Sequence, residues 1–300
     1  MLALFALAAS FVSTTLAAVK PIHSHNDYLQ AVPFWTALNL SIMSVEADVW
    51  WQDNQLFVAH TSGEIDKTKT LDSLYLTNIL GVINGSISSI TPISVNNPLQ
   101  LLIDFKSDGP TTYQPVLDAL QPLRAGGHLT TFADGVLKQG AVTAVGTGNT
   151  PLASVVAAAP RDLFFDADIR QLYSSLPGTG LAWGPQIAPL ASVDFASVSN
   201  VRASVTPSPS LIPRLTRTQT AQMQELVLNA HDFGIRARFW DTPANVGTWD
   251  TFWAAGSDWV NADDLLAVSN AWAAFDAAAR AMQGNFEERQ FEADVRLQRM

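Results

Sequence analysis

The residues best suited to chemistry are carboxylates and imidazoles set within or just after apolar runs. In Ser44-Val45-Glu46-Ala47-Asp48-Val49-Trp50, Glu46 and Asp48 lie two apart. In an extended chain they therefore share a face. Leu101-Leu102-Ile103-Asp104-Phe105-Lys106 places Asp104 and Lys106 on one face in the same way. His23-Ser24-His25 sets two imidazoles side by side, and Leu56-Phe57-Val58-Ala59-His60 ends on another. A carboxylate inside an apolar strand is costly to desolvate unless it is paired or bound to a metal.

Three hard carboxylate oxygens suit Mg²⁺ or Ca²⁺ and not a thiolate-selected metal. Such an ion acts as a Lewis acid and neutralises developing charge. Lys106 would set a fixed cation beside the carboxylates. Imidazole titrates near pH ~6.5 when unperturbed, so two of them can remove and donate protons around neutrality. Taken singly, each feature has a plainer reading. A lone Glu-x-Asp also marks an exposed salt-bridge edge, and a lone His after an apolar run is commonly a packed, hydrogen-bonded residue. Convergence at strand ends favours one shared site.

Those residues need strands to carry them. Short apolar or alternating runs predict strands at Val19–His23, Ser44–Trp50, Gln55–Ala59, Leu101–Phe105, Ala141–Val145, Leu163–Phe165, Ile235–Phe239 and Asp258–Asn261. Helical patterns lie between them, the clearest from Thr216 to Phe233, with Gly234 where a C-cap belongs. Strands alternating with helices imply an α/β fold with a parallel sheet. About eight such units in roughly 250 residues fit a (β/α)8 TIM barrel, whose active sites lie at the strand C-terminal ends. A doubly wound sheet is the runner-up, but no Gly-rich dinucleotide loop follows the first strand.

Secondary candidates sit at further strand ends. Asp166 and Asp168 could reach the pocket or cap the next helix. Arg238, Trp240 and Asp241 end another strand, where Trp240 could wall a lipid or head group or pack in the core. Asn261 and Asp263 close the last strand and could touch the pocket or serve as an N-cap. His128 and His231 read as structural.

The chain has 300 residues, of which 48% are hydrophobic and 15% charged. A charged share below the usual 25% or so excludes a disordered chain and leaves ample material for a core. Lys and Arg number 17 against 27 Asp and Glu, a net charge of −10. That balance argues against nucleic acid and against constitutive binding to an anionic membrane surface. No protein partner is implied. With no cysteine, disulfides, thiol nucleophiles and Cys-ligated metals are excluded.

Residues 1–18 carry no charge and end in small residues, so they read as a secretory signal peptide, with an uncleaved membrane anchor as the alternative. Two sequons, at Asn39 and Asn84, agree with a secreted or secretory-pathway location. Residues 19–281 are expected to form one barrel domain. Residues 282–300 are expected to be a charged C-terminal helix or tail. The Pro- and Ser-rich stretch Ser197 to Leu215 is expected to be a long loop.

His23 to Tyr28, Ser44 to Trp50, Leu56 to His60 and Leu102 to Lys106 together resemble the phospholipase C-like phosphodiesterase superfamily. More narrowly they are similar to the fungal "altered inheritance of mitochondria protein 6" family, and Asp258 to Asp264 matches that family's last strand. The resemblance implies a TIM barrel that cleaves phosphodiesters with one divalent cation, Mg²⁺ or Ca²⁺. Glu46, Asp48 and Asp104 would be its ligands, and His25 and His60 the general acid and base. Lys106 would hold a phosphate oxygen, and Asn26 would orient metal or substrate. His23 shares the face of His25, but His25 is nearer the strand end and matches the family's spacing to Glu46 better. Asp-x-Lys in the third motif looks more like the sphingomyelinase D branch than the glycerophosphodiester branch. Asn26-Asp27 stands where the latter has Arg-Gly, its Glu-Asn-Thr motif is missing, and the disulfides of the former cannot form.

The expected activity is thus hydrolysis of a phospholipid or glycerophosphodiester. Attack by a His and formation of a cyclic phosphate both stay open. A non-catalytic binding barrel and a secreted glycosidase using Glu46 are the alternatives, and only the diesterase needs Lys106, the imidazoles and a metal.

Overall fold

The structure, a computed structural model, describes residues 19–199 and 215–298, the stretch 283–298 as backbone only. The expected leader lies outside the described residues, as does most of the expected loop, residues 200–214. Eight parallel strands close on themselves: β1 (Ile22–Ser24), β2 (Ser44–Gln52), β3 (Leu99–Phe105), β4 (Val142–Gly148), β5 (Leu163–Asp168), β6 (Leu190–Asp194), β7 (Arg236–Trp240) and β8 (Trp259–Ala262). Each pairs with the next in sequence, and β1 pairs with both β2 and β8. This is a (β/α)8 barrel, and the doubly wound alternative falls away.

Alternation along each strand builds two separate interiors. Val45, Ala47 and Val49 of β2 and Leu101, Ile103 and Phe105 of β3 belong to the large core between barrel and helices. Their neighbours face the barrel axis. Deep inside, Leu102, Val145, Phe164, Leu190 and Trp259 form an apolar plug. Above the plug the same alternation delivers Glu46, Asp48, Asp104, Thr147, Asp166, Ser192, Arg238 and Asn261. The polar layer therefore lies at the C-terminal mouth, where strand chemistry and fold geometry coincide.

Two strand expectations need correction. Gln55–Val58 is not a barrel strand but the antiparallel partner of β2, with Val49 opposite Val58 and Gln52 opposite Gln55. Asp53 and Asn54 make the two-residue turn with φ of 51° and 59°, conformations these side chains tolerate. The eighth barrel place goes to Leu190–Asp194, which the sequence reading missed. Arg217–Asp232 forms the expected helix, opened by a Thr216–Gln219 capping box and followed by Gly234 at φ 70°. Ser197 belongs to a short helix, Phe195–Ser199, and the last helix runs unbroken from Leu265 to Gln298. None of the helices among the described residues is long and apolar enough to cross a membrane.

Candidate active site

Glu46, Asp48 and Asp104 each offer an oxygen within 4.8 Å of the others. They come from adjacent strands, and Asp48 and Asp104 are register partners. Lys106 bridges two of them, its Nζ lying 2.7 Å from Asp104 Oδ2 and 3.0 Å from Asp48 Oδ2. Two further oxygens, Asp48 Oδ1 and Asp104 Oδ1, are buried without a hydrogen-bond partner among the described residues. Gly148 makes room for one of them: a Cβ at that position would fall 1.9 Å from Asp104 Oδ1. Clustered hard oxygens with unpaired lone pairs fit a divalent cation of the Mg²⁺ or Ca²⁺ type. The trio can hold a metal ion.

Electrostatics carry the same message. Burial, then the charges of Glu46 and Asp104, push the Asp48 carboxyl up to about 6, against the pull of Lys106. Burial likewise raises Asp104 although Lys106 opposes it. Burial also penalises the Glu46 carboxylate, but the Arg238 guanidinium and the His23 hydrogen bond outweigh it and hold Glu46 well below the usual range. Arg238 NH2 lies 3.3 Å from Glu46 Oε2, and its Nε and NH2 both donate to Asn261 Oδ1. Glu46 is thus a fixed anion, whereas burial and neighbouring carboxylates keep Asp48 and Asp104 costly to ionise even with Lys106 between them.

His23 does not reach the mouth. It is wholly buried, with Nε2 3.3 Å from Glu46 Oε2 and Nδ1 2.7 Å from Ser44 Oγ. Burial, aided by Arg238, lowers its pKa to about 4, so the ring is neutral at neutral pH. A carboxylate only accepts, so the neutral ring carries its proton on Nε2 and takes the Ser44 hydroxyl proton at Nδ1. Gln100 donates to Ser44 Oγ at 2.8 Å and accepts from Trp259 Nε1 at 3.1 Å. A line of donors from Trp259 through Gln100, Ser44 and His23 therefore ends on Glu46. His23, a catalytic candidate by sequence, instead orients a carboxylate.

His25 and His60 do sit at the mouth. His25 places Nδ1 2.8 Å from Asp263 Oδ1 and Nε2 4.0 Å from Glu46 Oε2. His60, half-exposed, has Nδ1 3.4 Å from Asp48 Oδ2 and 3.4 Å from the Tyr28 hydroxyl. Asn26 adopts φ 45°, which turns its backbone N–H onto Glu46 Oε2 at 3.3 Å. Tyr28, which the sequence reading did not single out, has its hydroxyl 2.8 Å from both Asp48 Oδ2 and Asn26 Oδ1. Beneath the loop, buried Asp27 accepts from Ser24, Tyr75 and the Phe34 backbone N–H, which fixes its path.

The remaining candidates separate. Asn261, expected at the substrate, is buried and occupied by Arg238. Asp168 caps the 3-10 turn Ile169–Gln171 and pairs with Arg170 at 2.6 Å. His231 pairs with Asp258 at 2.8 Å, away from the mouth, as a structural histidine would. Trp240 lines a second cleft beside the site together with Asp166.

A closed (β/α)8 barrel with three clustered carboxylates, a lysine and two imidazoles at its C-terminal mouth has the make-up of a phosphodiesterase barrel. The model of the AIM6-like phosphodiesterase domain matches residues 12–166, which include every residue of the carboxylate–lysine–imidazole set. The chain is 33% identical over 273 residues to the altered inheritance of mitochondria protein 6 homolog of Arthroderma benhamiae, covering 83% of this chain and 82% of that protein. It is also 33% identical to altered inheritance of mitochondria protein 6 of Eremothecium gossypii, over 83% of this chain and 68% of the relative. The Saccharomyces cerevisiae protein of that name is 28% identical, over 83% and 70%. The chain belongs to the AIM6-like phosphodiesterase domain family. The relatives' names state no substrate.

Proposed function

We propose that this chain is a metal-dependent phosphoric diester hydrolase acting on a phospholipid or glycerophosphodiester. One observation carries the reading: three carboxylates with two orphaned oxygens lie beside two accessible imidazoles and a lysine. Glu46, Asp48 and Asp104 would hold one divalent cation, Mg²⁺ or Ca²⁺. When bound, it supplies charge neutralisation at the phosphoryl group.

The chain's own residues do the rest. His25, held by Asp263, and His60, held against Asp48 and Tyr28, face the mouth with a ring nitrogen each for proton transfer. One accepts a proton from the attacking hydroxyl while the other protonates the leaving oxygen. Lys106, tethered to Asp104 and Asp48 at the mouth, would present a fixed cation to a phosphate oxygen. Arg238 and His23 keep Glu46 ionised and oriented beneath it.

Turnover of bis-p-nitrophenyl phosphate and a small lysophospholipid panel tests the reading, in Mg²⁺, in EDTA and with Asp48→Ala. Metal-dependent turnover that Asp48→Ala abolishes supports it. Activity that survives EDTA points to carboxylate-only chemistry, and none in any condition points to a binding barrel.

A further inference from the structure

Beside the carboxylate trio lies a second cleft of about 400 Å³ to which the proposed chemistry assigns no task. Thr147, Asp166, Ser192 and Trp240 line it, along with Asp168 and Asp194. It adjoins the first site by a single strand: Thr147 is the register partner of Asp104. Its hydroxyl donates to Asp166 Oδ2 at 2.9 Å, and Ser192 donates to the same oxygen at 2.5 Å. Asp166 is thereby locked through one oxygen. The other, Oδ1, is buried with no partner among the described residues.

Charge and shape add to that orphaned acceptor. Arg170, the cation in the lining, is taken up by Asp168, and Arg238 acts on Asp166 only at longer range. Neither Asp166 nor Asp194 forms an ion pair among the described residues, so the cleft keeps an acidic excess. Trp240 stays 41% exposed, offering an aromatic face where cations are attracted. A buried acceptor calls for an N–H or O–H donor, and the surplus negative charge calls for a cation.

We propose that this cleft seats the head group of the diester and that this head group bears a primary ammonium. The proposal rests on the diesterase reading and names its substrate class. Among ammonium, trimethylammonium and polyol head groups, only a primary ammonium meets all three demands: donor, charge and aromatic face. Trimethylammonium has the charge but no N–H, so Asp166 Oδ1 would remain unpaired. A glycerol or inositol head group has donors but no charge, which leaves the acidic excess of Asp166, Asp168 and Asp194 over Arg170 in the cleft lining unmet.

The test uses the full chain with Mg²⁺. Bis-p-nitrophenyl phosphate has no head group, so its EDTA-sensitive turnover reports on the diesterase reading alone. Lysophospholipids with ethanolamine, choline or glycerol heads then report selectivity as ratios of kcat/KM. Calorimetric binding of phosphoethanolamine and phosphocholine reads the cleft without turnover. Ethanolamine is expected to lead choline by about 10-fold in both measures, equivalent to one lost charge-assisted hydrogen bond. Asp166→Asn should bring the ratio to within about 3-fold, with circular dichroism and Tm as the folding control. Trp240→Leu, a change at an exposed side chain, should weaken phosphoethanolamine at least about 5-fold. Equal affinity for the two heads, a choline preference, or a preference untouched by both substitutions would overturn the proposal. Without any diester turnover the diesterase reading falls, and the calorimetric ratio still decides for or against the ammonium site.

Discussion

Asp263 Oδ1 meets His25 Nδ1 at 2.8 Å across a separation of 238 residues. The seam between β1 and β8 brings them together, since His25 N–H donates to Ala262 carbonyl oxygen at 3.1 Å just above the last strand pair. A carboxylate can only accept, so Nδ1 carries the proton and Nε2 is left facing the mouth. Burial disfavours the His25 imidazolium, but the Asp263 hydrogen bond and the Glu46 charge together raise its pKa. Asp263 is therefore a positioning residue for a proton-transfer group. Asp263→Ala should lower kcat by about 10- to 100-fold while KM stays within about twofold, the range that a misaligned acid or base costs. Asp263→Asn keeps an acceptor oxygen and should recover part of the loss. Steady-state kinetics on bis-p-nitrophenyl phosphate checks this, and a change confined to KM would contradict it.

Metal binding should be visible without catalysis. A ligand that binds the folded chain alone stabilises it, by about 2.7 kcal/mol at a hundredfold excess over Kd. For a chain of this size that is roughly 4–5 °C in Tm. Mg²⁺ or Ca²⁺ should produce such a rise, and Asp104→Asn should remove it. Gly148→Ala should remove it as well, because φ 61° and a Cβ 1.9 Å from Asp104 Oδ1 force that carboxylate to move. An equal thermal shift in Asp104→Asn would place the ion elsewhere.

The legible part of the site was the part where an ionisable residue interrupts an apolar strand. Glu46, Asp48 and Asp104 stand out because burial without a partner is so costly that their presence demands one. Arg238 does not stand out in the same way, since an arginine near a strand end usually looks outward. Its role appears only when β7 crosses to within 3.3 Å of Glu46. His23 and His25 share a face by the two-residue period, and position along the strand favours His25. That His23 is sealed inside and hydrogen-bonded to Glu46 and Ser44 is visible only in the fold. The fold shows the same limit. Alternation marks Gln55–Val58 as a strand without saying which edge it joins, and only the tight Asp53-Asn54 turn makes it a hairpin. Leu190–Asp194 escaped because Ala188, Pro189 and Ala191 dilute its apolar pattern.

Asp166 should leave a signature in stability against pH. Burial pushes its carboxyl up to about 6, against the Arg238 charge and the two hydroxyl donors. The folded state thus holds this proton between about pH 4 and 6, where the unfolded chain has released it. Stability from this group is full below pH ~4 and is lost as the pH rises towards 6, with little change above. Two pH units correspond to about 3 kcal/mol at most. The difference in unfolding free energy between the wild type and Asp166→Asn should fall across that window. Urea titrations at pH 4, 5, 6 and 7 in EDTA measure it, and a difference that is flat or rises with pH would refute the assignment.

The two neighbouring histidines should fail in different ways. His23 is fully buried, and its removal leaves a cavity and strips a donor from Glu46 and an acceptor from Ser44. His23→Ala should therefore cost about 2–4 kcal/mol of stability, the usual toll of a broken buried polar network. His25 lines the open mouth, where water can replace its bonds, so His25→Ala should keep its unfolding free energy within about 1 kcal/mol. Its kcat should nonetheless drop by about 100-fold or more, as the loss of a proton-transfer group requires. Denaturant unfolding and kinetics on the same preparations separate the two roles. A His25→Ala enzyme that turns over normally while His23→Ala is folded but inactive would exchange them, and would move the proton-transfer step from the mouth of the barrel to its interior.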